Sequence, residues 1–166
     1  MTALETLADR FPLTQSPIRE GLLAAVLPGR FQLIPGTPPT ILDVAHNAQA
    51  AETLAASLRQ HRVAGRTHAV FGMLIDKAIA DVARAVSDQI DCWYAASLTG
   101  ARGATATQVA DALSQAGVRA PVGRYARVVD AYEAARAQAR PADRLIVFGS
   151  FYTVGDILAH LDAAPT

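Results

Sequence analysis

Five times along this chain a short apolar run rich in β-branched and aromatic residues gives way to an alanine-rich stretch of helical period. That alternation limits the fold more than any other feature, because it dictates strand then crossover helix, repeated. The runs Phe31 to Ile34, Thr40 to Ala45, Thr67 to Phe71, Cys92 to Ala96, Val122 to Tyr125 and Leu145 to Phe148 read as strands. Between them, Gln49 to Gln60 sets Ala51, Leu54, Ala55 and Leu58 on one helical face, and Ala78 to Gln89 does the same with Ile79, Val82, Ala83 and Val86. Thr105 to Ala116 opens with a capping box, Thr105 and Gln108, and stops at Gly117, a left-handed terminator. Val129 to Ala139 and Thr153 to Leu161 complete the set. The expectation is a doubly wound, Rossmann-like α/β domain with a mostly parallel six-stranded sheet and helices on both faces. The rigid turn Pro35-Gly36-Thr37-Pro38-Pro39 folds the first strand back as an antiparallel edge hairpin.

Pro12, Pro17 and Pro28 break the first 28 residues into pieces, and a helix around Ile18 to Ala25 has no strand before it. This stretch reads as a linker or the remnant of a preceding domain. At 166 residues, 51% of them hydrophobic, the chain can build one substantial core. Fifteen basic residues balance fifteen acidic ones, so the basic footprint of a nucleic-acid binder is missing. No apolar run reaches the roughly 20 residues needed to span a bilayer, and no signal peptide opens the chain, so a cytoplasmic protein is expected. Cys92 has no partner for an internal disulfide and reads as a small buried thiol.

Ligands of such sheets sit beyond the carboxyl ends of the strands. Four of these ends are distinctive: Asp43-Val44-Ala45-His46-Asn47, Phe71-Gly72-Met73-Leu74-Ile75-Asp76-Lys77, Leu98-Thr99-Gly100-Ala101-Arg102-Gly103 and Phe148-Gly149-Ser150-Phe151-Tyr152. They should meet along one rim. No G-x-G-x-x-G follows a strand and no Walker A loop occurs, so neither dinucleotide nor P-loop chemistry is self-contained here. Asp43 and His46 lack a third ligand for a metal. Asn47 suits a helix N-cap, His46 would then be its neighbour, and Ser150 reads as a capping or hydrogen-bonding serine because no nucleophile elbow surrounds it. Gly72 and Gly149 permit close backbone approach.

Taken together, these segments resemble a known family, the carboxyl-terminal domain of folylpolyglutamate synthase and dihydrofolate synthase in the Mur ligase superfamily. The resemblance runs over nearly the whole chain. It is carried by Leu27-Pro28-Gly29-Arg30-Phe31, by Leu42-Asp43-Val44-Ala45-His46-Asn47, by Val70-Phe71-Gly72-Met73-Leu74 with Asp76-Lys77, and by Val147-Phe148-Gly149-Ser150-Phe151. Departures are Ala48, where the family often has proline, Ile75, where a polar residue is common, and Tyr152, where histidine is frequent.

The resemblance implies an ATP-dependent amide ligase that joins glutamate to a folate or to dihydropteroate through an acyl phosphate. It implies that Arg30 contacts the nucleotide, Asp43 the ribose or a neighbouring part, and His46 the phosphate end, with Asn47 beside them. Lys77 and Ser150 are weaker candidates for the same cleft, and His46 is the one candidate for a catalytic role. It further implies that the P-loop, the magnesium ligands and most of the folate pocket lie in a preceding domain, with residues 29–166 as the carboxyl-terminal domain and Thr2 to Ala25 as the tail and linker. A self-sufficient α/β module of flavodoxin or receiver type, binding a nucleotide or another small molecule, and a purely structural domain are the alternatives. A receiver would want an acidic cluster at the first strand end, and only Asp43 answers that description.

Overall fold

The computed structural model describes residues 14–25 and 27–163. Half of the proposed tail therefore lies outside the described residues, and the described half is mostly helix α1 (Gln15–Ala24). The domain proper follows as β1 (Gln32–Ile34), β2 (Thr40–Asp43), α2 (Ala48–Gln60), β3 (Thr67–Phe71), α3 (Ile79–Val86), β4 (Cys92–Ala96), α4 (Ala106–Gln115), β5 (Val122–Tyr125), α5 (Val128–Gln138), β6 (Arg144–Phe148) and α6 (Phe151–Ala163). The strands form one sheet in the order β1-β2-β6-β3-β4-β5. Only the β1–β2 pair is antiparallel, so β1 is the expected hairpin edge.

Why the strands read as continuous apolar runs is plain from their burial. Both faces of the sheet are covered, so alternate residues enter different cores. Ala69 and Phe71 of β3, Trp93 of β4 and Phe148 of β6 point to the face packed by α2, α3 and α4. Val70, Tyr94 and Val147 point to the face packed by α5 and α6. The predicted helical stripes are the buried ones: Ala51, Leu54, Ala55 and Leu58 on α2, and Ile79, Val82, Ala83 and Val86 on α3. In the first core Phe71 stacks on Phe148 at 4.7 Å and meets the edge of Trp93 at 5.5 Å, tying three adjacent strands together.

Strand β1 begins at Gln32 rather than Phe31 and β2 ends at Asp43 rather than Ala45, and three further details differ from the sequence expectation. The helix read over Ala78 to Gln89 ends at Val86 and tightens into a 3-10 turn over Ser87–Gln89, with the Ser87 hydroxyl donating to the Arg84 carbonyl. Helix α6 starts at Phe151 rather than Thr153, because the Ser150 hydroxyl accepts from the Tyr152 N–H and so caps the first turn. Cys92 is half-buried rather than fully enclosed, and burial still pushes its thiol pKa up, which disfavours the reactive thiolate. The Thr105–Gln108 capping box and the left-handed Gly117 (φ +82°) stand as expected.

At the amino ends of the strands, buried polar ties close the sheet. Arg144 is only 4% exposed. Its guanidinium donates to Thr67 Oγ1 and to the carbonyls of Leu58 and His61, at 2.9, 3.0 and 2.6 Å. Burial lowers its pKa from the usual arginine value, with Asp91 opposing. Asp143 accepts from the backbone N–H groups of Arg140 and Arg66, both at 2.7 Å, and faces His68 Nε2 at 3.3 Å. Those two backbone donors, first Arg140 and then Arg66, hold its carboxyl below the usual range. His68 continues the chain to the Tyr94 hydroxyl, which donates to Gln138. Burial pushes the Tyr94 pKa up to about 12, so this phenol stays protonated.

Candidate functional site

The carboxyl ends of the strands carry two clefts rather than one. The first, about 440 Å³, is lined by Arg30, Phe31, Asp43, Asn47 and the exposed side of the first turns of α2. Asp43 ends β2, and its two oxygens are both engaged. Oδ2 accepts from the Phe31 N–H at 2.9 Å and Oδ1 from the Ala45 N–H at 2.8 Å. Burial raises its pKa above the usual carboxylate value, against those two backbone donors and the nearby Arg30. Each oxygen keeps a lone pair for a hydroxyl donor.

The loop bearing Arg30 is fastened to this strand end. The Val44 N–H donates to the Gly29 carbonyl at 2.8 Å. Gly29 has φ +67°, and a Cβ there would lie 2.9 Å from Val44 Cγ1, so only glycine fits. Phe31 holds φ +43°, costly for a bulky residue, and is kept there by Asp43 and by its ring lying 5.1 Å from the His61 ring. The result presents Arg30, exposed and without a hydrogen bond from its guanidinium to any described residue, at the cleft mouth. Asn47 caps α2 by accepting from the Ala50 N–H at 2.9 Å, which leaves its amide N–H groups for other acceptors.

The second cleft, about 180 Å³, is lined by His46, Leu74, Lys77, Arg102, Ser150 and Tyr152. His46 Nδ1 lies 2.8 Å from the Val44 carbonyl, which can only accept, so Nδ1 carries the proton and Nε2 offers a lone pair in the neutral ring. Gly149 has φ +114°, and a Cβ there would sit 2.5 Å from the Gly72 carbonyl oxygen. That carbonyl also accepts from Thr153 Oγ1 at 2.7 Å. Gly149 thus serves close approach of backbone to backbone, which brings the start of α6 against the end of β3, whereas a Cβ at Gly72 would meet the Thr153 hydroxyl at 3.0 Å and the Leu98 side chain at 3.2 Å.

Lys77 and Ser150, expected beside Arg30 and Asp43, stand instead with His46 in the second cleft. The reason is the sheet order: β6 separates β2 from β3, so the loops after β3 and β6 meet on the far side of His46 from Arg30. Arg102 and Asp76 were not singled out from the sequence. They form a forked ion pair, with three contacts between 2.8 and 3.1 Å, across 26 residues of chain. Local spacing cannot reveal such a pair, although both lie in strand-end segments. Around this cleft Ile75, Phe151 and Tyr152 stay at least half exposed. Among the described residues no three His, Cys, Asp or Glu side chains gather into a metal-binding group, and no helix is long and apolar enough to cross a membrane.

Residues 29–151 match the family model described as "Mur ligase, glutamate ligase domain". The chain belongs to this Mur ligase family. The resemblance carried by the strand-end motifs is therefore borne out, as is the six-stranded α/β fold. A dihydrofolate synthase/folylpolyglutamate synthase of Escherichia coli (strain K12) is 40% identical over 163 residues, covering 98% of this chain and 37% of that protein. A crystal structure of the bifunctional folylpolyglutamate synthase/dihydrofolate synthase from Yersinia pestis, complexed with AMPPNP and manganese, superposes with a TM-score of 0.83 at 44% identity. It covers 92% of this chain and 35% of its own. A Mycobacterium tuberculosis folylpolyglutamate synthase complexed with ADP shares the fold at 22% identity and a TM-score of 0.84. This Mur ligase domain spans a little over a third of the length of these relatives.

Proposed function

We propose that this Mur ligase domain is the carboxyl-terminal part of an ATP-dependent ligase that adds glutamate to folate, to dihydropteroate, or to both. The observation that carries the reading is the pair of adjoining clefts on one rim: one suited to a nucleoside, the other lined by basic and hydroxyl groups. Arg30 can stack or fork onto a nucleotide, and Asp43 can accept from ribose hydroxyls. His46, with Nε2 turned from its own backbone, stands at the junction where phosphates would lie. When bound, ATP supplies the phosphoryl group that turns a substrate carboxylate into an acyl phosphate, and the glutamate amine displaces that phosphate to form the amide.

The P-loop and the magnesium ligands belong, in this reading, to a preceding domain of the same polypeptide. Asp43, the carboxylate in the first cleft, already spends both oxygens on backbone N–H groups and does not by itself fit a magnesium cage. The exposed Ile75, Phe151 and Tyr152 beside the second cleft support a rim that closes against another domain, so a self-sufficient module is not favoured. The setting is cytoplasmic, where folates and ATP meet.

The chain alone is expected to bind ATP weakly, with amide shifts at Arg30, Asp43, His46 and Asn47, and to form no ADP with folate and glutamate. The polypeptide that includes the P-loop domain sustains ADP formation over many turnovers only when folate and glutamate are both present. Turnover by this chain alone would overturn the proposal. So would a reading frame lacking G-x-x-x-x-G-K-[ST] roughly 250 to 300 residues upstream, a separation set by ordinary two-domain size.

A further inference from the structure

Far from the rim, His68 of β3 is 3% exposed and has both ring nitrogens engaged. Nε2 lies 3.3 Å from Asp143 Oδ2, and Nδ1 lies 2.9 Å from the Tyr94 hydroxyl, which stands 3.1 Å from Oε1 of Gln138, the last residue of α5. Asp143 is held as a carboxylate by the Arg140 and Arg66 N–H groups and can only accept, so Nε2 carries a proton. Only Nδ1 is left undecided by its neighbour.

A phenol has one proton to give. When Tyr94 gives it to Gln138, as in the structure, its oxygen can only accept from His68, so Nδ1 is protonated too and an imidazolium faces the carboxylate. When Nδ1 is bare, the phenol turns its proton inward and the Gln138 oxygen is left facing a lone pair. An amide answers this by turning over, because it offers oxygen on one side and N–H on the other. Gln138 then donates to Tyr94, Tyr94 to His68 and His68 to Asp143, with every group satisfied. The two complete arrangements differ by one proton and one amide turn.

Against β3 on this face pack β4, β6 and α5. From β4 come Tyr94, the Cys92 thiol beside His68 in register and, at the strand's foot, Asp91, which accepts from the Thr67 N–H at 2.8 Å. The β6 end brings Asp143 and Arg144, the latter spent on Thr67, Leu58 and His61. Arg66, at the entry to β3, stands by the Cys92 thiol. Helix α5 sets the Tyr132 hydroxyl 3.2 Å from Thr40 Oγ1 and brings Gln138 to Tyr94. Among the described residues, nothing but Asp143 and Tyr94 is hydrogen-bonded to the ring nitrogens of His68.

We propose that His68, Tyr94 and Gln138 form a proton-driven latch, in which uptake of one proton by Nδ1 reverses the Tyr94 hydroxyl and turns the Gln138 amide over at the end of α5. The same chain holds both ends of the turn from α5 to β6, at Gln138 through Tyr94 and at Arg140 through Asp143. The proton count of a buried ring is thereby passed to a helix terminus. None of these residues lines either rim cleft, so the latch is independent of what the rim binds.

The test is an NMR titration of this chain over the pH range in which it stays folded, following the His68 ring nitrogens and the Gln138 side-chain amide together. One shared transition is expected: as Nδ1 loses its proton, the Gln138 N–H groups take up their bond to Tyr94. Above that transition they exchange with solvent roughly 2- to 10-fold more slowly than in Tyr94→Phe at the same pH, the protection that one neutral hydrogen bond gives. Below it the two proteins exchange alike. Tyr94→Phe keeps the buried ring and removes the relay, so there the Gln138 amide no longer follows His68. Gln138→Leu, at an exposed helix end, denies the phenol its outer acceptor, and His68 then holds its single-proton form to lower pH than in the parent. A Gln138 amide that ignores the His68 transition overturns the latch. An amide that still follows it in Tyr94→Phe also overturns it, since the response is then the field of the ring's charge and not a relay. So does a transition unmoved by Gln138→Leu, or a ring whose proton count never changes while the chain is folded.

Discussion

The two ends of the sheet are built on opposite principles. At the amino ends, polar side chains are buried and their bonding capacity is spent inward: Arg144 on three oxygens, Asp143 on two backbone N–H groups and His68. At the carboxyl ends the polar groups are arranged to leave something over, as with Nη1 of Arg102, Nε2 of His46, the Lys77 ammonium and the Arg30 guanidinium. One end holds the strands in register while the other keeps donors and acceptors for a guest. Side-chain chemistry is similar at both ends; what differs is whether the protein itself uses it.

Substitutions can break that contrast at either end. The largest effect is expected from Arg144→Ala, which strands two buried acceptors and a part-buried one and should lower stability by about 3 to 5 kcal/mol in urea unfolding without changing the rim. Asp143→Asn comes next, at about 2 to 3 kcal/mol, because an amide cannot accept on both sides as the carboxylate does. It also carries a pH signature. The folded-state pKa of Asp143 is depressed, so its stabilisation is complete above the ordinary carboxylate value of about 3.9 and is lost as pH falls through the depressed value. Acid unfolding of the Asn variant should lack that part of the decline.

Gly149→Ala tests whether the rim has a rigid component. The left-handed backbone and the 2.5 Å approach to the Gly72 oxygen predict a loss of about 2 kcal/mol, with amide shifts spreading to Ser150 and Tyr152. Asn47→Ala removes one cap and should cost about 1 kcal/mol. Arg30→Ala closes the series: thermal unfolding within about 0.5 kcal/mol of the parent, as for surface substitutions away from structural features, yet no ATP-dependent shifts. A stability loss as large as that of Arg144→Ala would erase the distinction between the two ends.

Much of the scaffold was legible because one physical quantity, periodic burial, fixes it. The stripes on α2 and α3, the strands Thr67–Phe71 and Cys92–Ala96, and the Thr105 box are all local patterns. Ends were less legible, as at Val86 and Phe151, since single hydroxyls from Ser87 and Ser150 decide them. The candidate residues Asp43, His46 and Asn47 were readable as a strand-end group, and Arg30 joined them through the family resemblance. Their division was not, nor was the Arg102–Asp76 fork, because both depend on which strands are neighbours in a sheet whose order departs from sequence order. Asp43 shows the same limit in miniature: its residue type announced an acceptor, but not that two backbone N–H groups already held it.

His46 and Asn47 are consecutive, yet one lines the second cleft and the other the first. Successive α-carbons across a trans peptide lie about 3.8 Å apart. The walls of the two clefts are therefore joined there by a covalent link and not by packing, so breathing of the helices carries the two walls together at that joint.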